Sequence, residues 1–205
     1  MNARDAMLAR IRTALRNHPG VPGRAVPSTR PVIDDWVGRF RARAEALSST
    51  VIGPVARRDV PAAVAGYLRT HQLEPTAVCW PALQSLDWNG AGLNVAARPA
   101  APSDLVGITG VYCAIAETGT LMLLSGADTP ASTSLLPETH VALLPVKRIV
   151  AHMEDAWALL RAEGRALPRA VNLISGPSRT ADIEQTVTLG AHGPYRVLIV
   201  LVDKA

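Results

Sequence analysis

The run Arg196-Val197-Leu198-Ile199-Val200-Leu201-Val202 is apolar from its second residue to its last. A strand that is buried on both faces has such a continuous apolar run, whereas a half-exposed strand alternates. Shorter apolar runs, such as Thr50-Val51-Ile52 and Ala77-Val78-Cys79-Trp80, are separated by stretches with helical periodicity. Because strands that alternate with helices need crossover connections, the sequence predicts an α/β domain with a mainly parallel sheet.

The first 31 residues have a different pattern. Leu8, Ile11 and Leu15 recur at helical spacing and predict an amphipathic helix at the N-terminus. Four prolines and two glycines between Asn17 and Pro31 then predict an extended linker. We therefore divide the chain into an N-terminal helical arm with a Pro-rich linker, residues 1–31, and one α/β domain, residues 32–205. An arm of this kind is typical of docking segments and of domain-swapped homodimers, so a homodimer is one alternative.

The two cysteines, Cys79 and Cys113, each lie in an apolar stretch. We expect both to be buried free thiols, which favours a reducing, cytoplasmic location. Two isolated cysteines cannot ligate an iron–sulfur cluster, and no Cys-x-x-Cys pair is available for zinc. His18, His71 and His152 fall near predicted helix ends without a His-x-x-x-His spacing. The sequence therefore predicts no metal and no evident cofactor in this chain.

Composition also limits the partners. The formal net charge is +4, but the arginines are scattered and only 4% of the residues are aromatic, which disfavours a nucleic-acid surface. No run of about 18 apolar residues occurs, so no membrane span is predicted. The dinucleotide-binding glycine fingerprint and the Walker A loop are both absent, which disfavours nicotinamide and nucleotide triphosphate chemistry. A small anionic metabolite or an acidic protein fits the basic charge better.

A candidate anion site follows the apolar run 170–175. The segment 176–184, Gly-Pro-Ser-Arg-Thr-Ala-Asp-Ile-Glu, predicts a tight turn and the N-terminus of a helix. Backbone N–H groups, the hydroxyls of Ser178 and Thr180 and the guanidinium of Arg179 could bind an anion there. The alternative is that Ser178, Thr180 and Asp182 only cap the helix while Arg179 points into solvent.

Three other residues could carry proton chemistry. Glu117 precedes a strongly apolar strand, where a partly desolvated carboxylate suits a general base or nucleophile; alternatively, it accepts hydrogen bonds within a turn. His192 lies in a turn of small residues and could approach a ligand, or it could interact with the C-terminus of a helix. His140 opens a strand and could face a crevice, or it could be hydrogen-bonded at the strand entrance.

Four motifs in a fixed order carry a resemblance to a known family. They are the segments 115–121 (IAETGTL), 134–140 (SLLPETH), 176–184 (GPSRTADIE) and 190–194 (GAHGP). Together they resemble the LUD-domain family, in particular its lactate-utilisation C-subunit branch, over roughly Asp104 to Asp203. The resemblance implies a three-layer fold similar to the ribose-5-phosphate isomerase and CoA-transferase group. Some members of that group use a glutamate as the reactive group, which favours Glu117.

The resemblance also implies a function. The chain would be the cluster-free subunit of a bacterial system that converts L-lactate to pyruvate with partner proteins, of which at least one carries iron–sulfur clusters. We expect the site at the carboxyl ends of the strands. Its predicted catalytic residues are Glu117 and His192, and its predicted substrate-binding residues are Thr120, His140, Ser178, Arg179, Thr180 and Asp182. The alternatives are a stand-alone isomerase or acyl- or CoA-transfer enzyme acting on a small anionic metabolite, and a non-catalytic assembly or sensor module.

Overall fold

The computed structural model of the chain describes residues 3–17, 30–164, 166–181, 187–189 and 193–203. Contacts between Cα atoms divide the chain into two compact units, Met1–Pro31 and Val32–Ala205. The first unit contains helix α1, Ala3–Asn17, at the position where the helical spacing predicts it. Among the described residues, no helix is both long and apolar enough to cross a lipid bilayer.

The second unit contains the other elements. Its described helices are α2 (Trp36–Ala46), α3 (Val60–Thr70), α4 (Ser132–Leu135) and α5 (Met153–Ala162). Its described strands are β1 (Thr50–Val55), β2 (Thr76–Cys79), β3 (Asn94–Ala97), β4 (Val106–Gly110), β5 (Cys113–Ile115), β6 (Thr120–Leu124), β7 (Thr139–Pro145), β8 (Ile149–Val150), β9 (Val171–Ile174), β10 (Arg179–Ala181), β11 (Val187–Leu189) and β12 (Arg196–Val202).

Six strands form a parallel sheet in the order β1-β12-β7-β4-β2-β3. The apolar run that ends the chain is β12, which pairs with β1 on one side and β7 on the other. Residues 197–202 are all buried, as a strand covered on both faces requires. The α/β fold with a mainly parallel sheet is therefore confirmed.

A second sheet has the order β8-β5-β6-β9 and contains both parallel and antiparallel pairs. The amino-acid sequence does not show that these strands form a second sheet, because an apolar run does not reveal which strands it pairs with. The second sheet and α2 pack against one face of the parallel sheet, where Phe40, Leu121 and Leu123 meet Ala142 and Leu144. On the opposite face, α3 contributes Val64 and Leu68 to another core. Helix α5 covers the far side of the second sheet.

The helix predicted after Gly176 is wrong over the residues that the structure describes. Arg179–Ala181 is the short strand β10, which pairs antiparallel with β11. Thr180 lies opposite Thr188 in this hairpin. Threonine is β-branched and therefore suits a strand better than a helix, so the local preference agrees with the pairing.

Candidate functional site

The loop between β5 and β6 lies beside the turn that follows β9. Strands β6 and β9 pair antiparallel, with Leu121 opposite Ile174. Thr120 Oγ1 is 2.8 Å from Ser175 Oγ, and Thr118 Oγ1 is 2.7 Å from Thr120 Oγ1. The two segments that the sequence analysis assigned to one site are therefore neighbours, connected by a chain of three hydroxyl groups.

The C-terminal end of α2 packs closely against both segments. Gly119 has φ +72°, and a Cβ atom there would lie 2.5 Å from the backbone nitrogen of Ala44. Gly176 has φ +84°, and a Cβ atom there would lie 2.4 Å from the carbonyl oxygen of Leu47. Both positions require glycine because the backbone is left-handed and the adjacent space is filled.

Arg179 has a different environment from the one predicted. Its Nη2 atom donates hydrogen bonds to Ser48 Oγ and, at 3.5 Å, to the carbonyl oxygen of Leu47. Carbonyl groups at the C-terminal end of a helix lack partners within the helix, so a guanidinium satisfies them well. Arg179 thus connects the turn after β9 to the end of α2, and its anion-binding role stays a prediction.

A small cavity of about 160 Å³ lies at the start of β7. It is lined by Ser134, Leu135, His140, Leu173, Ile174, Ser175, Gly176, Ser178, Gly193, Pro194 and Val197. Two predicted substrate-binding residues, His140 and Ser178, therefore line the same cavity. A third, Thr120, reaches its wall through the hydrogen bond to Ser175.

His140 is fully buried in the wall of this small cavity. It shares a face of β7 with Ala142, because alternate residues of a strand point the same way. Its Nε2 atom is 2.8 Å from Thr109 Oγ1, whereas its Nδ1 atom has no hydrogen-bond partner among the residues that the structure describes. Burial lowers the pKa of His140 to about 4 because desolvation disfavours the charged imidazolium. The imidazole is therefore neutral at neutral pH, with one polar atom left for a ligand.

Glu117 has a partner that the sequence analysis missed. Its Oε2 atom is 3.0 Å from Nδ1 of His152, whose side chain is only 10% exposed. The backbone brings them together, since Glu117 N donates to the carbonyl oxygen of Ala151 at 3.0 Å. Asp155 fixes the start of α5 by accepting from the N–H of His152 at 3.0 Å. A carboxylate that orients an imidazole is a frequent arrangement in proton-transfer sites.

We expect Glu117 and His152 to be energetically coupled. A double-mutant cycle of Glu117→Gln and His152→Gln should give a coupling free energy of about 0.5–1 kcal/mol, because the pair is partly buried. Urea denaturation of the four proteins measures it. The matched control pairs Glu117→Gln with His71→Gln at the exposed end of α3, where coupling should be absent. Equal coupling in both cycles contradicts the expectation.

The larger cavity, about 760 Å³, lies at the opposite edge of the parallel sheet. Gly110 ends β4, Pro145 ends β7 and Trp80 follows β2, and all three line it. The candidate residues were expected at this carboxyl edge, but none of those that the structure describes lines this cavity. His140 is instead the second residue of β7, at the amino edge. His140 and Ser178 meet at the amino edge because the small cavity is formed by the turn after β9, a strand of the second sheet.

Some candidate residues lie outside the described part of the chain. They are Asp182, His192 and the side chain of Thr180. Within the described part, no group of three or more His, Cys, Asp or Glu residues could hold a metal ion. Cys79 and Cys113 are buried free thiols, as expected, and burial raises the pKa of each to about 11. They belong to separate cores.

The fold and the site define an α/β protein with a small cavity that contains polar side chains. The cavity lies beside the loop between β5 and β6, which carries Glu117 and is called the glutamate loop below. Residues 81–202 match the profile of the LUD domain, and the chain belongs to this family. Its likeness to a crystal structure of a DUF162 family protein from Deinococcus radiodurans has a TM-score of 0.64 at 24% identity. That comparison covers 84% of this chain and 99% of the other, and it supports the fold.

Curated relatives match about half of the chain. Lactate utilization protein C from Bacillus subtilis is 42% identical over 101 residues, which are 48% of this chain and 42% of that protein. The protein of the same name from Exiguobacterium sp. is 37% identical over 122 residues, which are 58% of this chain and 53% of that protein. The chain therefore aligns with about half the length of these relatives.

Proposed function

We propose that this chain takes part in lactate utilisation, as the cluster-free component of a system that oxidises L-lactate to pyruvate. The names of its relatives and its membership of the LUD family support this assignment. Oxidation of an α-hydroxy acid to a keto acid releases two electrons and two protons. In the proposal, iron–sulfur partner proteins take both electrons, residues of this chain bind the acid and accept the hydroxyl proton, and the second proton, from Cα, passes to water.

The proposal rests on the Nδ1 atom of His140, which has no hydrogen-bond partner within the described part of the chain. Leaving a buried polar atom without a partner costs about 1–3 kcal/mol, and a ligand in the cavity would remove that cost. A neutral imidazole can accept the proton of a hydroxyl group or donate to a keto oxygen, depending on its tautomer. It therefore suits both lactate and pyruvate.

The cavity also limits the size of the ligand. Its 160 Å³ is well below the roughly 300–1,000 Å³ of sites for drug-sized molecules. A three-carbon acid is of a suitable size, whereas a CoA ester is too large to enter. The hydroxyls of Ser175 and Ser178 can hydrogen-bond the carboxylate of such an acid. This disfavours the alternative of a CoA-transfer enzyme at this position.

The glutamate loop offers a path for the proton. The hydroxyls of Thr118, Thr120 and Ser175 form a hydrogen-bonded chain that ends at the cavity. Glu117 comes directly before Thr118 in the sequence and is paired with His152. In the proposal, the proton of the substrate hydroxyl passes to His140 or to this row of hydroxyl groups. The Glu117–His152 pair then receives it.

Calorimetric titration with L-lactate and with pyruvate tests the substrate assignment. We expect both to bind the full chain and His140→Leu to weaken binding about tenfold or more, since the polar contact is lost. His71→Leu, at the exposed end of α3, is the control and should bind like the wild type. Failure of lactate and pyruvate to bind, or equal binding by His140→Leu, contradicts the proposal.

Reconstitution tests the requirement for partners. The purified chain should form no pyruvate alone and should be required when the iron–sulfur partner proteins of the proposal are added with L-lactate. Turnover of a sugar phosphate or a CoA ester by the isolated chain would instead support the stand-alone enzyme. Pyruvate formation that is unchanged when this chain is omitted would support the assembly or sensor alternative.

A further inference from the structure

We propose that the larger cavity, at the carboxyl edge of the parallel sheet, is a binding site for a planar aromatic molecule with a single negative charge. The cavity lies where β2, β4 and β7 end side by side. Ligands of open α/β sheets bind at this edge, outside the carboxyl ends of the strands. At about 760 Å³ it is also within the usual size range of small-molecule sites.

The walls of the cavity favour a ring. Trp80 and Tyr112 supply two aromatic side chains, and Leu124, Leu167 and Pro168 add aliphatic surface. The indole of Trp80 is held in place because its Nε1 donates to the carbonyl oxygen of Pro130 at 3.2 Å. Fixed aromatic side chains offer a large apolar contact area at low entropic cost, and they prefer to stack with other rings.

Arg148 has a structural role and is not available to a ligand. Its Nε donates to the carbonyl oxygen of Tyr112 at 2.8 Å, and its Nη1 is 2.6 Å from Glu163 Oε1. The hydroxyl of Tyr112 donates to Glu163 Oε2 at 3.0 Å, and the guanidinium lies 4.6 Å from the centre of the Tyr112 ring. This network neutralises Arg148 and fixes the ring that forms one wall.

Lys147 supplies the remaining charge. It lines the cavity and is exposed, and within the described part of the chain it forms no ion pair. None of the lining residues is acidic. Among the described lining residues Lys147 is the single available cation, and together with the aromatic and aliphatic walls it matches a ligand that has a ring and one acidic group. A nucleotide with several phosphates would need more cations or a glycine-rich phosphate loop.

This site is independent of the proposed lactate site. It lies at the other edge of the sheet, shares no lining residue with the small cavity, and is much larger and more apolar than a three-carbon acid requires. Loss of binding at one cavity therefore leaves the other unaffected, and the two proposals fail separately.

Fluorescence titration of the full chain with 8-anilinonaphthalene-1-sulfonate, an aromatic monoanion that contains a planar naphthalene ring, tests the inference. We expect saturable binding at one site per chain, with displacement by indole-3-acetate and not by L-lactate. AMP should compete more weakly than indole-3-acetate. The absence of saturable binding, or stronger competition by AMP, overturns the proposal.

Two variants locate the probe. Lys147→Gln should weaken binding about fivefold by removing the charge. Gly110→Val should weaken it about tenfold or more, because a Cβ there lies 3.8 Å from the Trp80 ring and the added methyl groups occupy the cavity. Arg39→Gln and Gly66→Ala are the matched controls, and thermal unfolding verifies that each variant is folded. Unchanged binding by both Lys147→Gln and Gly110→Val overturns the assignment.

Discussion

Replacing Gly119 by alanine is expected to reduce the free energy of unfolding by about 2–5 kcal/mol. Two costs add at this position. The left-handed backbone, with φ +72°, costs a residue with a Cβ atom about 1–2 kcal/mol. The new Cβ would also lie 2.5 Å from the nitrogen of Ala44 and 2.7 Å from the carbonyl carbon of Arg43. Both are backbone atoms of α2, so relief requires the helix to move, at a further cost of about 1–3 kcal/mol.

Gly66→Ala is the matched control for this substitution. Gly66 lies within α3, and a Cβ atom there would have no neighbour within 4 Å. Alanine should therefore stabilise the protein by about 0.5–1 kcal/mol through its higher helix propensity. Urea denaturation of both variants measures the difference. A loss below about 1 kcal/mol for Gly119→Ala would show that α2 does not pack on the glutamate loop as the structure describes.

The elements that the sequence predicts well are those with a local pattern. The continuous apolar run of β12 identifies a strand buried on both faces, whatever its neighbours are. Helix α2 begins after an acidic residue that is a typical N-cap, and Asp35 Oδ1 accepts from Gly38 N at 2.8 Å. Helix α5 likewise buries Ala156 and Leu160, which are at helical spacing. In each case the information lies within a few consecutive residues.

The elements that the sequence does not predict depend on distant partners. Arg179 follows a glycine turn that could begin a helix or a strand, and the outcome is set by pairing with β11. Glu117 and His152 are 35 positions apart and meet because β5 pairs with the two-residue strand β8. Ile149-Val150 is recognisable as an apolar pair, but nothing in its residues specifies which strand it joins. The signal that the sequence does offer for the Glu117–His152 pair is a histidine that closely follows the short apolar strand β8.

For His140, the structure is compatible with both interpretations that the sequence left open. One ring nitrogen is hydrogen-bonded at the strand entrance, to Thr109, and the residue lines the small cavity, while its role as a ligand contact stays a prediction. A single sequence could not decide between them, because the two nitrogens of an imidazole can serve different partners. The position of His140 in β7 therefore supports both a packing role and the proposed ligand contact.

The stability of the protein should fall steeply as the pH is lowered from about 6.5 to about 4. Burial holds the pKa of His140 at about 4 in the folded protein, against 6.5 for an ordinary histidine. Between these values the unfolded chain binds a proton that the folded chain does not, so acid favours unfolding. The difference corresponds to about 3 kcal/mol, which is fully lost once the pH is below both values.

Comparison of the wild type with His140→Leu isolates this contribution. Leucine does not titrate, so the variant should lose about 3 kcal/mol less than the wild type over the same pH range, even though it is less stable at neutral pH. His71→Leu should retain the steep pH dependence of the wild type, because His71 lies at the exposed end of α3. Urea denaturation at several pH values measures all three proteins. If His140→Leu has the same slope as the wild type, His140 is not a buried neutral imidazole, and its role as the polar contact of the small cavity is lost with it.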